Sequence, residues 1–232
     1  MHQKKLGCLI VHGFGGGIHE IEPLSSYLIQ KGYEVACPNL KGHTGNRQDM
    51  KKATYEDWIE SAETELIKLL KKTSHVVVIG FSMGGLIAAN LASKYPVKAV
   101  VTINTPIFFW DIKRVLINLF EDTKNKNLNN FTRYLKANNA SPPAALRNFL
   151  IILRKTKPLF KEMRVPFLII QAMDDDTVRN KSALYIYNSI LSEQKEIEFF
   201  KNGGHLILLS NNKHKVISNV ENFLLKINEE LL

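Results

Sequence analysis

The most informative stretch of this 232-residue sequence is Val76-Val77-Val78-Ile79-Gly80-Phe81-Ser82-Met83-Gly84-Gly85. Its four consecutive β-branched residues predict a buried strand, and the apolar residues from Met83 to Tyr95 predict a helix directly after it. Gly80 and Gly84 flank Ser82 at the turn between them, where missing side chains let strand and helix approach closely. Such a turn lifts a serine oxygen clear of the sheet, next to the positive end of the helix dipole. The pattern therefore predicts a nucleophilic serine at residue 82.

The rest of the chain alternates short apolar runs with amphipathic stretches. Strands that are buried on both faces of a parallel sheet have such continuous apolar runs. The predicted strands are Leu6–Val11, Tyr33–Cys37, His75–Ile79, Val97–Ile103, Val165–Gln171 and Glu196–Phe200. The predicted helices outside residues 107–164 are Glu20–Lys31, Thr54–Lys72, Met83–Tyr95, Asn180–Leu191 and Lys213–Asn228. The predicted fold class is α/β: a three-layer sandwich around a mostly parallel sheet of about six strands.

A serine hydroxyl is a poor nucleophile unless a base takes its proton and an acid orients that base. In this fold class both should follow later strands, in the order serine, acid, histidine. His205 is the predicted base, because it follows the last predicted strand and two glycines. Asp175 is the predicted acid, because a small and a β-branched residue are spaced around it over one turn. Its neighbours Asp174 and Asp176, expected to be solvated, stay open as alternatives.

Acyl chemistry also needs two backbone N–H donors for the developing oxyanion, worth roughly 3 kcal/mol each. Met83, which follows the serine, is one predicted donor. Phe14 is the other, in the loop His12-Gly13-Phe14-Gly15-Gly16-Gly17 after the first strand. This loop matches neither the G-x-x-x-x-G-K-[ST] nor the G-x-G-x-x-G pattern, which argues against a nucleotide-binding protein.

Residues 107–164 contain no convincing strand and predict three helices, at Asp111–Glu121, Leu128–Ala137 and Pro142–Lys155. An all-helical insertion predicts a cap at the edge of the sheet, which leaves residues 1–106 and 165–232 as the core domain. Apolar cap residues, including Phe108, Phe109 and Trp110, are predicted to contact the substrate.

The charge of the chain is unevenly distributed. The net charge is +9, and residues 107–164 account for +8 of it, with 12 basic and 4 acidic side chains. A local excess of this kind does not favour nucleic acid, which is typically bound by a broad basic surface. Two interpretations remain: a solvated lysine-rich surface, or a surface that attracts an anionic ester or makes weak contact with an anionic membrane.

Composition limits the class of protein. The sequence is 45% hydrophobic and 23% charged, as in globular proteins, and its apolar runs are shorter than the roughly 18 residues of a membrane span. The short apolar stretch near the start lacks a signal-peptide cleavage site, so a cytoplasmic location is predicted. Cys8 and Cys37 are predicted to be buried reduced thiols. No metal ion or cofactor is predicted, because no Cys, His or Asp cluster has ligand spacing.

Five segments resemble the α/β-hydrolase family, and within it the small bacterial carboxylesterases and monoacylglycerol lipases. They are Val11-His12-Gly13-Phe14, Lys41-Gly42-His43, Gly80 to Gly85, Gln171-Ala172-x-x-Asp175 and Gly204-His205. The resemblance implies the same roles for Ser82, Asp175, His205, Phe14 and Met83, and a helical cap over an acyl pocket. It also implies that the loop from Lys41 to Gly45 lies near the mouth of the site.

The predicted function is a serine carboxylester hydrolase that cleaves short-to-medium acyl esters through an acyl-enzyme on Ser82. A monoacylglycerol lipase or a thioesterase with the same triad is an alternative, and acyl transfer to another alcohol stays open. A ligand-binding protein on a hydrolase scaffold is disfavoured, because such proteins usually lack a member of the triad. The predicted partner is a small-molecule ester.

Overall fold

The computed structural model describes residues 6–108 and 142–229. Within these ranges six strands form one sheet in the order β2-β1-β3-β4-β5-β6, and every neighbouring pair is parallel. The strands are β1 (Gly7–Val11), β2 (Glu34–Ala36), β3 (Val76–Phe81), β4 (Ala99–Ile103), β5 (Phe167–Ala172) and β6 (Lys195–Phe200). The order changes direction at β1 and β3, which places the carboxyl ends of these strands at the usual ligand-binding edge of such sheets.

Helices cover both faces of the sheet. In the described ranges they are α1 (Glu22–Gln30), α2 (Arg47–Lys52), α3 (Tyr55–Lys72), α4 (Met83–Ala92), α5 (Pro143–Thr156), α6 (Lys181–Ser189) and α7 (Lys213–Glu229). Apolar side chains of α3, α4, α5 and α6 pack on one face, and those of α1 and α7 pack on the other. The predicted three-layer α/β architecture is therefore confirmed.

The continuous apolar runs are explained by this double burial. Leu9 and Val11 of β1 belong to one core cluster, whereas Cys8 and Ile10 belong to the other. All four are fully buried, so neither face of the strand tolerates a polar side chain.

Two local features differ from the sequence-based expectation. Helix α2 was not predicted, because it has six residues and buries only Met50; the Asn46 side chain caps it by accepting from the Gln48 amide. Cys8 and Cys37 are free thiols, as predicted, but Cys37 is only partly buried. That part of the prediction is wrong because Cys37 follows β2, which lies at the edge of the sheet.

Only part of the predicted cap lies within the described residues. The third cap helix, predicted at Pro142–Lys155, is observed as α5. The other two predicted cap helices, together with Phe109 and Trp110, lie outside the described residues, and the domain boundaries remain a prediction. No helix in the described part of the chain is long and apolar enough to cross a membrane.

Candidate active site

Ser82 lies between β3 and α4 in an unusual backbone conformation. Its φ is +52°, a region that non-glycine residues rarely adopt, and Asn104 is the other non-glycine case in the described ranges. The Ser82 amide donates to the Ile103 carbonyl at 2.8 Å, which ties the turn to the end of β4. Such strain persists only where the surrounding structure holds it, and it is concentrated at functional sites.

Three glycines make this turn possible. A Cβ atom on Gly80 would overlap the backbone of Gly84 and Gly85, so the strand and helix approach as predicted. A Cβ on Gly84 would overlap the Val11 carbonyl at the end of β1. Gly85 had no assigned role from sequence, yet its Cβ would overlap the Thr105 side chain. The spacing alone does not reveal the contacts to β1 and to Thr105, because both come from distant parts of the chain.

The structure brings Ser82, His205 and Asp175 into one hydrogen-bonded chain. The Ser82 Oγ lies 3.0 Å from His205 Nε2, and His205 Nδ1 lies 2.8 Å from Asp175 Oδ2. With Nδ1 protonated, the imidazole donates to the carboxylate and its Nε2 accepts from the serine hydroxyl. This is the arrangement in which an imidazole can take a proton from a serine.

The His205 imidazole is tuned by opposing effects. Its side chain is only 15% exposed, and this burial by itself lowers the pKa of His205. The charge of Asp175 and its hydrogen bond outweigh burial, Glu20 and Asp176 add to them, and the net pKa lies above the ordinary value of 6.5.

The three consecutive aspartates have three different environments. Asp175 is 3% exposed, and its Oδ1 accepts the amides of Thr177 and Val178 at 2.8 and 2.9 Å. Asp176 is 2% exposed, so the expectation that it is solvated is wrong. Asp174 is half-buried, and its carboxylate accepts amide hydrogen bonds from the loop that precedes His205. Only Asp175 contacts His205 through a hydrogen bond among these three.

The loop after β1 lies directly beside Ser82. A Cβ on Gly13 would lie 3.2 Å from the Ser82 Cβ, so the two backbones are in close contact. Among the described residues none accepts a hydrogen bond from the Phe14 or Met83 amide. Within the described part of the chain, both predicted oxyanion donors therefore have N–H groups without an acceptor.

Two residues without a role from the sequence hold this loop. His12 is fully buried, and burial lowers its pKa to about 4, so the ring is neutral at physiological pH. Its Nδ1 donates to the Gly13 carbonyl at 2.9 Å, and its Nε2 faces the Leu40 amide at 3.5 Å. The Glu20 carboxylate accepts from the Gly13 amide at 3.2 Å, and burial raises its pKa. Only folding brings these groups together, since Glu20 looks like an ordinary helix-start residue in the sequence.

The Phe14 side chain packs against other aromatic side chains. Its ring lies 5.8 Å from Trp58 and 5.3 Å from Phe149 of α5. Phe108, which was predicted to contact substrate, packs against Tyr185 and the ammonium groups of Lys157 and Lys181. Its backbone is hydrogen-bonded to residues 179 and 182 at the start of α6, and its contact with substrate stays a prediction.

A cavity of about 390 Å³ separates the glycine loop from the loop after β2. Its lining includes Gly15 to Gly17, His19, and Gly42 to Arg47. Residues 42–45 therefore face the predicted oxyanion loop, and their place near the mouth of the site stays a prediction. The three residues of the hydrogen-bonded chain do not line this cavity. Among the described residues, no group of three or more His, Cys, Asp or Glu side chains could hold a metal ion.

A bulky residue at Gly16 is expected to lower kcat with little change in melting temperature. Its Cβ would overlap the Glu20 carboxylate, which supports the Gly13 amide. We expect Gly16→Val to lower kcat about 10- to 100-fold by displacing one oxyanion donor. Glu20→Ala should reproduce that loss. A large drop in melting temperature with intact kcat would instead assign this glycine to folding.

Sequence comparison identifies the family. Residues 9–145 match the family described as alpha/beta hydrolase fold. Because this match spans more than half of the chain, the protein belongs to the α/β-hydrolase family. It is 29% identical to a thermostable monoacylglycerol lipase of Bacillus sp. (strain H-257), over 95% of this chain and 91% of that protein. It is also 22% identical to a carboxylesterase of Bacillus subtilis (strain 168), over 94% and 92%. These names support a carboxylester hydrolase.

Solved structures agree with this fold. One, from a study of the metagenome-derived lipolytic enzymes LipS and LipT, has a TM-score of 0.80 at 22% identity, covering 97% of this chain and 95% of that one. A monoglyceride lipase of Saccharomyces cerevisiae has a TM-score of 0.75 at 17% identity, covering 98% and 88%. At these identities the likeness extends to the fold alone.

Proposed function

We propose that this protein hydrolyses carboxylic esters through an acyl-enzyme on Ser82, with His205 as base and Asp175 as acid. The hydrogen-bonded chain Ser82–His205–Asp175 at a strained strand-to-helix turn is the observation that carries the proposal. The raised pKa of His205 supports it, because a base that must accept and return a proton works best near neutral pH.

The first half of the proposed reaction acylates the enzyme. His205 Nε2 takes the hydroxyl proton as Ser82 Oγ attacks the ester carbonyl, and the Asp175 carboxylate stabilises the imidazolium. The Phe14 and Met83 amides donate to the oxyanion of the tetrahedral intermediate. When the intermediate collapses, the C–O bond breaks, His205 gives its proton to the alcohol, and the acyl group stays on Ser82.

The second half releases the acid. A water molecule loses its proton to His205 as it attacks the acyl carbonyl. The intermediate collapses with return of that proton to Ser82 Oγ, which yields the carboxylic acid and free enzyme. Acyl transfer would follow the same steps with an alcohol in place of water.

Covalent labelling tests this mechanism. A serine-directed phosphonate is expected to label the wild-type protein once per chain, and Ser82→Ala should abolish labelling. Ser93→Ala is the matched control, because Ser93 caps the other end of α4 and its hydroxyl donates to the Asn90 carbonyl. A wild-type protein that stays unlabelled, or equal labelling of Ser82→Ala, would reject the proposed nucleophile.

For the substrate we propose short-to-medium acyl esters, with a monoacylglycerol as second candidate. The second candidate is favoured by the 29% identity to a monoacylglycerol lipase over nearly the whole chain. Turnover of p-nitrophenyl esters of increasing chain length measures the acyl preference. Comparing the glycerol and ethyl esters of one fatty acid then separates the two: a strong preference for the glycerol ester supports the second candidate, and equal rates support a general esterase.

The basic cap gives a salt-dependent prediction. In its described part, α5 carries exposed Arg147, Arg154 and Lys155 beside exposed Leu146 and Leu150. If this surface attracts anions, kcat/KM for a carboxylate-bearing ester should fall as salt rises from about 20 to 500 mM, because charges are screened over about 8 Å at physiological salt.

A neutral ester of equal acyl length is the control and should keep its kcat/KM. Neutralising the three basic side chains should remove the difference between the two esters. Binding to vesicles of anionic lipid tests the proposed weak membrane contact separately. If kcat/KM responds equally to salt for the two esters and the protein does not bind vesicles, the basic residues form only a solvated surface.

A further inference from the structure

The loop that carries His205 has little conformational preference of its own. His205 follows Gly203 and Gly204, whose φ angles are +143° and +60°. Glycine populates such conformations freely, so a loop of this kind is ordered only by contacts from outside it. A displacement of about 1 Å at a catalytic group can lower a rate about 100-fold, so these contacts matter for His205.

The Asn104 side chain donates hydrogen bonds to two backbone carbonyl groups of this loop. Its Nδ2 donates to the Gly204 carbonyl at 3.1 Å and to the His205 carbonyl at 2.8 Å. Its Oδ1 accepts from the Ala172 amide at 2.8 Å, at the end of β5 and three residues before Asp175. One side chain therefore joins the loop of the base to the strand that leads to the acid. These partners also define the orientation of the amide, since only its NH2 group can donate to two carbonyls.

Asn104 lies in a buried position with a positive φ, directly after the end of β4. It is fully buried, and it follows Ile103, whose carbonyl accepts from the Ser82 amide. Its φ of +49° is a conformation in which asparagine is enriched among non-glycine residues. The end of β4 is thus in direct contact with the segments of all three residues in the hydrogen-bonded chain.

The Asp174 carboxylate accepts hydrogen bonds from two backbone amides of the same loop. Its two carboxylate oxygens accept from the Gly203 amide at 3.1 Å and from the Gly204 amide at 2.9 Å. Hydrogen bonds to an ionised acceptor are about twice as strong as neutral ones. Neither Asn104 nor Asp174 is hydrogen-bonded to the Ser82 or His205 side chain.

We propose that Asn104 and Asp174 are positioning residues that hold the 203–205 loop from both sides and thereby align His205 with Asp175 and Ser82. This inference rests on the proposed function for its catalytic consequence, but the ordering of the loop does not. It adds two residues to the site whose side chains act through His205 and not as catalytic groups.

The decisive variant is Asn104→Gly. Glycine retains access to the positive φ and removes all three side-chain hydrogen bonds, so the backbone strain is not increased. Asp174→Asn is the second variant, because it keeps the size of the side chain and loses one of the two acceptors. Asn90→Ala is the matched control: Asn90 is also a buried asparagine with two donated hydrogen bonds, to Leu86 and Thr156, but these lie away from the His205 loop.

Kinetics normalised to phosphonate-titrated sites test the alignment. We expect Asn104→Gly to lower kcat per titrated site about 10- to 100-fold, with KM changed less than about threefold. The acidic limb of its pH–rate profile should move to lower pH, because Asp175, Glu20 and Asp176 raise the pKa of His205 and a displaced ring loses part of that effect. For Asp174→Asn, kcat per titrated site and the acidic limb of the pH–rate profile should shift in the same directions, but by less. Asn90→Ala should lower the melting temperature but leave kcat per titrated site and the pH–rate profile at their wild-type values.

Amide hydrogen exchange provides a readout that does not depend on activity. Exchange at residues 203–205 should accelerate in Asn104→Gly and Asp174→Asn, and should stay at the wild-type rate in Asn90→Ala. Should Asn104→Gly fail to fold, the exchange rates and kinetics of Asp174→Asn alone test the inference. Unchanged exchange in this loop together with wild-type kcat and pH profile per titrated site would overturn the inference. An unlabelled wild-type protein would instead reject the proposed function, and exchange would still report on the loop.

Discussion

Ser82→Ala and His205→Ala are each expected to lower kcat about 10⁶-fold, and the double variant should be hardly worse. The three groups act as a unit, so the loss of one removes most of what the others contribute. The hydroxyl of Ser82 is 3.0 Å from the ring of His205, and each depends on the other for proton transfer. The measurement is kcat on a p-nitrophenyl ester, with the protein concentration set by absorbance.

The fold of these variants serves as their control. Alanine retains the Cβ atom, so Ser82→Ala leaves the backbone at +52° with the same strain and should melt near the wild-type temperature. His214→Ala is the matched control for the base, because His214 lies at the start of α7 on the surface. Activities of Ser82→Ala within about 100-fold of wild type would contradict the acyl-enzyme mechanism.

Asp175→Asn is expected to lower kcat about 10⁴-fold. An asparagine amide cannot hold the imidazole in the tautomer whose Nε2 accepts from Ser82. Two backbone amides bind Asp175 Oδ1, so the substituted side chain keeps its place and the effect is chemical. Asp176→Asn should have a smaller effect, since the charge of Asp176 contributes less than Asp175 to the raised pKa of His205.

The same variant gives a prediction for pH. Protonated His205 cannot accept the serine proton, so kcat/KM falls as pH falls through the pKa of His205. Asp175 raises that pKa above 6.5, so in the wild-type protein the loss begins above this value. Without the carboxylate, burial dominates and the remaining activity of Asp175→Asn should persist to lower pH. If Asp175→Asn is nearly wild type and Asp174→Asn or Asp176→Asn loses about 10⁴-fold, the acid has been assigned to the wrong residue.

The fold was predictable from local patterns. Burial of both faces of a parallel strand requires continuous apolar runs, as in Val76 to Ile79, and the sharp turn at Ser82 requires glycine on either side. Helix α2 escaped prediction because one buried methionine produces no helical periodicity. The packing of Phe108 against Tyr185 could not be predicted from the sequence, because the two residues are far apart in the chain; its contact with substrate stays a prediction.

The sequence by itself determined the order of the elements, the strand-to-helix turn at Ser82 and the presence of a histidine after the last strand, because each depends on residues a few positions apart. Only the tertiary structure decided which of three adjacent aspartates meets His205: the Asp175 carboxylate is hydrogen-bonded to the His205 ring, whereas the carboxylate of the preceding residue, Asp174, accepts from the Gly203 and Gly204 amides. It also revealed Asn104, Glu20 and His12 around the site. Asn104 meets His205 from 101 positions away in the chain, and no local pattern records an approach over that distance.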